Sequence, residues 1–264
     1  FFIFNFRLLI SDEPNDIGGA VQVKNSSPTI ENNIITANTA LDGGAVGISL
    51  GGAAIINNRI YANTALRKGA VFIEGGAGFE CLLAGNIIAG NAAEQTGGVV
   101  FAGDDVKIVN NTITLNRCEL GAAGISGDGN EAANCVIYAN TSFQGDPAAE
   151  SVQLINCCLD EDLGGEGNII ADPCFVEAGF WDQASPGGID DDVFHYGNFH
   201  IRPASLCRGA GLESALPEDF ANDIDSEPRI SGITVDIGAD EVFLCPADID
   251  IDGIVDSADL AEMG

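Results

Sequence analysis

The chain has 264 residues, with 40 acidic side chains against 10 basic ones, a formal charge of −30 and 46% hydrophobic residues. Such a polyanion is repelled by nucleic acid and carries no basic stripe to offset this, which excludes nucleic acid as a partner. The acidity fits a secreted protein in a calcium-containing medium, and it fits solubility alone equally well.

Residues 1–10 (FFIFNFRLLI) are apolar but too few to span a bilayer, and they lack a small-residue cleavage site. Leu9 and Ile10 lie 25 residues before Ile34 and Ile35, so this stretch is expected to end a preceding structural repeat. Met263 is the only methionine, so the chain is expected to be a piece of a longer protein.

A phrase then returns every 25 residues or so. Residues 30–40 read IENNIITANTA and residues 55–65 read IINNRIYANTA. One asparagine column falls at Asn33, Asn58, Asn86 and Asn111, and a second at Asn38, Asn63, Asn91, Asn116 and Asn140. A glycine phrase recurs from Gly18, Gly43, Lys68, Gly97 and Gly121, at spacings of 25, 25, 29 and 24. A fixed period in this range means one unit stacked on copies of itself. Each unit holds apolar runs of two to five residues between Gly or Asn, which are strand signals, and no segment offers sustained helical periodicity. Short strands with a turn at each corner describe one rung of a parallel β-helix, here over residues 1–162. Asparagine at a constant phase fits stacked corners, because it tolerates the left-handed conformation and its amide can bond to the next rung.

The repeat fades through a degenerate rung at residues 152–159 (VQLINCCL). Residues 163–244 change character, with glycines, Pro173, an acidic run at 190–192 and then aromatics. They are expected to form an irregular cap over the open lower end, where strand edges would otherwise be bare. Four phrases occur there in order: GNIIADPCFV (167–176), GNFHIRPASLC (197–207), DIDSEPR (223–229) and VDIGADE (235–241). With the GGA and NN repeats, they resemble bacterial secreted right-handed parallel β-helix proteins and polymorphic outer-membrane proteins. The resemblance implies an all-β, right-handed, single-stranded parallel β-helix in an extracellular or cell-surface setting. It implies no reaction.

Eight cysteines are present. Cys135 and Cys157 take the asparagine phase of successive rungs. Parallel neighbours roughly 4.8 Å apart are within disulfide reach, yet their Cβ vectors run side by side, which favours stacked free thiols. Cys81, Cys118, Cys158, Cys174, Cys207 and Cys245 show no metal-ligand spacing.

Residues 245–264 carry the sharpest local chemistry. Residues 248–259 read DIDIDGIVDSAD. Asp248, Asp250 and Asp252 supply alternating carboxylates, Gly253 the sharp turn, Ile254 a carbonyl, Asp256 a water-holding group and Asp259 the closing ligand of a calcium loop. With CPAD leading in and a helix start at 257–263, the segment resembles the first half of a type I dockerin. That resemblance implies bound calcium and a cohesin-type or cell-surface partner. A complete dockerin has two such loops and this sequence holds one.

Catalytic candidates are sparse. FAGD at 101–104 aligns with ISGD at 125–128, which would stack Asp104 on Asp128 with Asp105, Glu74 and Lys107 nearby. Carboxylates about 5 Å apart have the retaining-glycosidase spacing, whereas a solvated acidic turn is expected from composition alone. His195 and His200 sit in VFHYGNFHI, where Phe194, Tyr196 and Phe199 suggest a packed cap strand, and Trp181 is expected to seal the cap. Two functions stand: a non-catalytic extracellular scaffold or adhesin, and a polysaccharide lyase, glycoside hydrolase or carbohydrate-binding module. Long loops around the Asp104 face would favour the second. Near-uniform rung lengths favour the first.

Overall fold

The structure, a computed structural model, describes residues 2–4 (backbone only), 17–75, 78–94, 99–127, 129–182, 192–230 and 234–243. Four short strands make a rung, and in the first complete one they are Val21–Lys24, Thr29–Glu31, Ile34–Thr36 and Thr39–Ala40. Each pairs in parallel with its counterpart one rung on: Val21 with Val46, Ile30 with Ile55, Ile35 with Ile60, Thr39 with Thr64. Repetition stacks them into parallel sheets of eight, six, six and five strands. The architecture is a parallel β-helix. Among the described residues the one helical element is a 3-10 turn, Glu213–Ala215, and no helix is long and apolar enough to cross a membrane.

Inward side chains line up because the register is strict. Ile35, Ile60, Ile88, Ile113, Ile137 and Leu159 form one fully buried column; Ile55, Leu83 and Ile108 extend another from the neighbouring sheet. Each such side chain contributes about 1.5–3 kcal/mol of transfer free energy.

Two corners of each rung follow a fixed recipe, a left-handed residue and then an asparagine. Asn32, Asn57, Asn110 and Asn134 hold φ between 52° and 56° at the first corner. Ala37, Ala62, Leu115 and Ala139 hold φ between 50° and 57° at the second. The sequence reading gave one asparagine both jobs; the structure divides them, since the laddering asparagine is the residue after the left-handed one. Alanine and leucine are strained there by about 1 kcal/mol each. The ladder that follows offsets this. Asn58 Oδ1 accepts from the backbone N–H and the amide of Asn33, at 3.0 and 3.1 Å. The Asn58 amide donates to the carbonyls of Ile30 and Ile56 and to Asn86 Oδ1. The same pattern joins Asn86 to Asn111, and runs from Asn38 through Asn63, Asn91 and Asn116 to Asn140. In the first column Cys135 and Cys157 replace asparagine as free thiols, and Asn168 resumes the acceptor role toward Cys157 N–H at 2.8 Å.

At the upper end, Phe2–Phe4 pairs with Ile34–Thr36, Phe2 opposite Ile34. A strand of an earlier rung is therefore present, but Phe2 and Ile3 hold the place expected of Leu9 and Ile10, which lie outside the described residues. The lower end gains one more strand, Ile169–Ile170 against Cys158–Leu159.

The cap departs from expectation. Beyond residue 172 it turns back and lies along the outer face of the eight-stranded sheet. The reason is local: Ile87, Ala89, Val136 and Cys158 point outward from that sheet, and a strand apolar on both faces must be covered. Cap residues Phe194, Phe199, Ile201, Ile224, Ile237 and Ala239 cover them. Trp181 donates to the Leu115 carbonyl at 2.7 Å, and the Arg117 guanidinium lies 4.4 Å from its ring centroid while pairing with Asp192. Phe194 and Phe199 are buried; Tyr196 is half exposed, its hydroxyl 2.9 Å from Thr36 Oγ1.

The phrases DIDSEPR and VDIGADE supply the frame of this cap. Arg229, fully buried, donates to Glu241 Oε1 at 3.0 Å and to the carbonyls of Gly238 and Ala239. Glu241 accepts the Asp236 N–H, and Asp223 accepts N–H groups from Asp225, Glu227 and Glu241. Gly238 N–H and Ala239 N–H then bond to the solenoid at Asn134 O and Thr112 Oγ1. Burial pushes the Glu241 carboxyl up to about 8, with the Arg229 guanidinium opposing that rise.

Candidate functional site

The outer face of one six-stranded sheet is left open where the cap ends. Its strands include Ala54–Ile56, Cys81–Ala84, Val106–Val109 and Glu131–Ala133. Leu82 pairs with Lys107, and Ile108 pairs with Ala132, so Lys107 and Glu131 occupy matching outward positions one residue earlier. Beside this row lies a groove of about 1020 Å³. Its floor is the sheet, its rim carries Glu80, Asp104 and Asp105, and its far wall is the cap turn at Ser214, Ala215 and Pro217.

Local structure explains the rim. The corner between Val71–Glu74 and Cys81–Ala84 holds three residues more than the corner one rung earlier, because the register offset grows from 25 at Ile48–Ile73 to 28 at Ile55–Leu83. That insertion carries Glu80 to the groove. Asp105 takes a left-handed φ of 58°, which an aspartate tolerates. Asn130 fixes the loop: its amide donates to the carbonyls of Ala102 and Gly103, and its Oδ1 accepts the Val106 N–H at 3.2 Å. Cys81 also lines the groove, but burial pushes its thiol up, away from the thiolate a nucleophile needs.

Asp104, Asp105 and Lys107 line the groove together, whereas Glu74, which ends its strand beside Gly103 on the neighbouring rung, does not line it. Asp128 lies outside the described residues. The alignment that would stack it on Asp104 does not hold in the strands just before it: Val100 pairs with Ile125 and Phe101 with Ser126, an offset of 25 where FAGD over ISGD requires 24. The offset drops to 24 only after the corner, at Ile108–Ala132. Glu80, Asn130 and Glu131 were missed in the sequence. For Glu80 the longer repeat was the available signal; the cap wall, more than 100 residues further along the chain, left none. The calcium-loop residues Asp248, Asp250, Asp252, Ile254, Asp256 and Asp259 lie outside the described residues.

A family profile for a right-handed β-helix region matches residues 19–186, more than half of the chain. The chain belongs to that family. Searches of curated proteins and of solved structures find no match. The family assignment fixes the hand of this β-helix, and its matched segment extends past the last rung into the cap. In this right-handed β-helix the groove runs across successive rungs, so a long ligand lying in it would meet equivalent positions at each step, roughly 4.8 Å apart.

Proposed function

We propose that this right-handed β-helix is a non-catalytic extracellular or cell-surface scaffold that binds a polysaccharide in the groove between the Leu82–Lys107–Glu131 row and the cap. The groove itself carries the reading: it is long, open and lined by hydrogen-bonding carboxylates, an amide and a hydroxyl over a partly apolar floor, a combination suited to sugar hydroxyls and ring faces. Glu80, Asp104, Asp105 and Glu131 against Lys107 leave the lining anionic. It therefore suits a neutral or amino-sugar glycan and repels a polyuronate. The C-terminal Asp248–Asp259 loop is read as a calcium-binding module that tethers the solenoid, and its dockerin-like residues support a cohesin-type or cell-surface partner.

The second reading, a polysaccharide-active enzyme, draws on Asp104, Asp105 and Lys107, which line the same groove. One experiment separates the two. The full chain is applied to neutral, amino-sugar and polyuronate glycans, with binding and product release followed together. Retention of a neutral or amino-sugar glycan, weakened by Glu131→Gln or Asp105→Asn and without new chain ends, is the expected result. New reducing or unsaturated ends would make it an enzyme. Absence of any binding would remove both readings.

A further inference from the structure

The cap gathers a second set of side chains, on the opposite side of the corner from the groove. His200 lies on the strand Asn198–Ile201, Asp225 on the turn of DIDSEPR and Asp240 in VDIGADE. One nitrogen and two carboxylate oxygens from these residues lie within 4.8 Å of one another. We propose that His200, Asp225 and Asp240 bind a divalent transition-metal ion of the zinc class.

The geometry of the supporting atoms argues for this. His200 Nδ1 faces Asn198 Oδ1 in a short hydrogen bond. An amide oxygen only accepts, so Nδ1 carries a proton, and Nε2 faces the cluster with a second proton in the imidazolium or with a lone pair in the neutral ring. There Nε2 meets Asp225 Oδ2 in close contact and Asp240 Oδ1 at 3.9 Å. In the imidazolium the second proton bridges Nε2 to Asp225 Oδ2; in the neutral ring the lone pair faces two carboxylate oxygens, and a metal ion takes the place of that proton. Each carboxylate is also fixed from behind. Asp225 Oδ1 accepts from Arg59 at 2.5 Å, and Asp240 Oδ2 accepts the Ile201 N–H at 2.9 Å. Three ligand atoms converge while the other atom of each side chain has its own partner, which is how outer-shell groups orient a metal site.

The donor set selects the ion class. An imidazole nitrogen with two carboxylates suits zinc or a neighbouring first-row metal better than calcium, which prefers six or more oxygens. Tetrahedral zinc, with bonds of about 2.0–2.2 Å, holds its ligand atoms roughly 3.3 Å apart. Asp225, whose side chain is 37% exposed, would have to draw back from Nε2 to reach that spacing, loosening its bond to Arg59, while the Asp240 side chain at 8% stays as the buried anchor. The exposed side leaves room for water or a ligand atom to complete the shell. Such an ion would join three cap segments to each other and, through Arg59, to the second rung.

The test uses the full chain, stripped with a chelator and then dialysed against zinc with calcium in excess to saturate other acidic sites. One equivalent of zinc is expected, and cobalt(II) in its place should give visible d–d bands. His200→Gln and Asp240→Asn should abolish uptake, and Asn198→Ala, which leaves every ligand in place, should weaken it by about 10–100-fold. The variants' far-ultraviolet dichroism reports whether the solenoid persists. No zinc uptake by the native chain would show that a proton alone occupies the cluster and would overturn the proposal, as would uptake unchanged in Asp225→Asn and Asn198→Ala.

Discussion

Phe194 of the cap rests on Gly90 of the solenoid so closely that a Cβ built on Gly90 would lie 2.2 Å from its ring. The contact exists because one rung differs from the others. At the left-handed corner positions where other rungs carry Asn57 or Ala62, this rung carries Gly85 and Gly90, and Phe220 and Phe194 fill the space.

Gly90→Ala therefore tests how the cap docks. Alanine itself is accepted at this corner, as Ala37 and Ala62 show with φ of 57° and 50°, so the cost comes from the ring. We expect destabilisation of about 1–3 kcal/mol, typical of overpacking, with a shift in the emission of Trp181, the single tryptophan. Phe194→Ala in the same chain should recover part of the loss. An additive double mutant would count against the contact.

The interior of the asparagine ladder should be far less tolerant than its end. Asn91 accepts from Asn63 twice and donates to the carbonyls of Ile60 and Ala89 and to Asn116. Asn91→Ala strands several buried groups at about 1–3 kcal/mol each, and chemical denaturation should show a loss of at least 2 kcal/mol or so. Asn33, at the partly exposed upper end, should cost less than half as much when replaced by Ala. Equal losses would mean that the ladder is not the seat of the stability.

Stability should fall as pH rises through the Glu241 window. Its folded carboxyl titrates at about 8 and its ordinary value is 4.5. Between these values the folded chain keeps a proton that the unfolded chain releases, so raising the pH favours unfolding. Burial raises Asp236 as well, in the same direction. Melting followed with a chelator present should show a midpoint declining from pH 5 to pH 9. Glu241→Gln should flatten that decline; an unchanged slope would assign it to general repulsion among the acidic side chains instead.

Calcium should act on the tail and leave the solenoid as it is. Isothermal titration of the full chain is expected to show uptake that Asp248→Ala and Asp252→Ala remove, without change in the β-sheet dichroism. Heat of binding that survives both substitutions would refute the loop assignment.

The repeat, the strand class and the asparagine columns could be read from residue order, because stacking a constant unit puts like residues in like places. Asn33, Asn58, Asn86 and Asn111 needed only counting. Corner geometry was less legible: that the left-handed residue is Ala37 or Leu115, and not the asparagine beside it, follows from hydrogen bonds between rungs that no single rung contains. A one-residue change in register inside a corner likewise escaped the Asp104–Asp128 alignment. The groove and the His200 cluster were decided by the cap's return along the eight-stranded sheet. That path is set by outward apolar side chains such as Ile87 and Val136 and by the two glycines that admit Phe194 and Phe220. Local order along a chain fixes what repeats; contacts between segments 100 or more residues apart depend on which exposed surface most needs covering, and only the assembled molecule shows that.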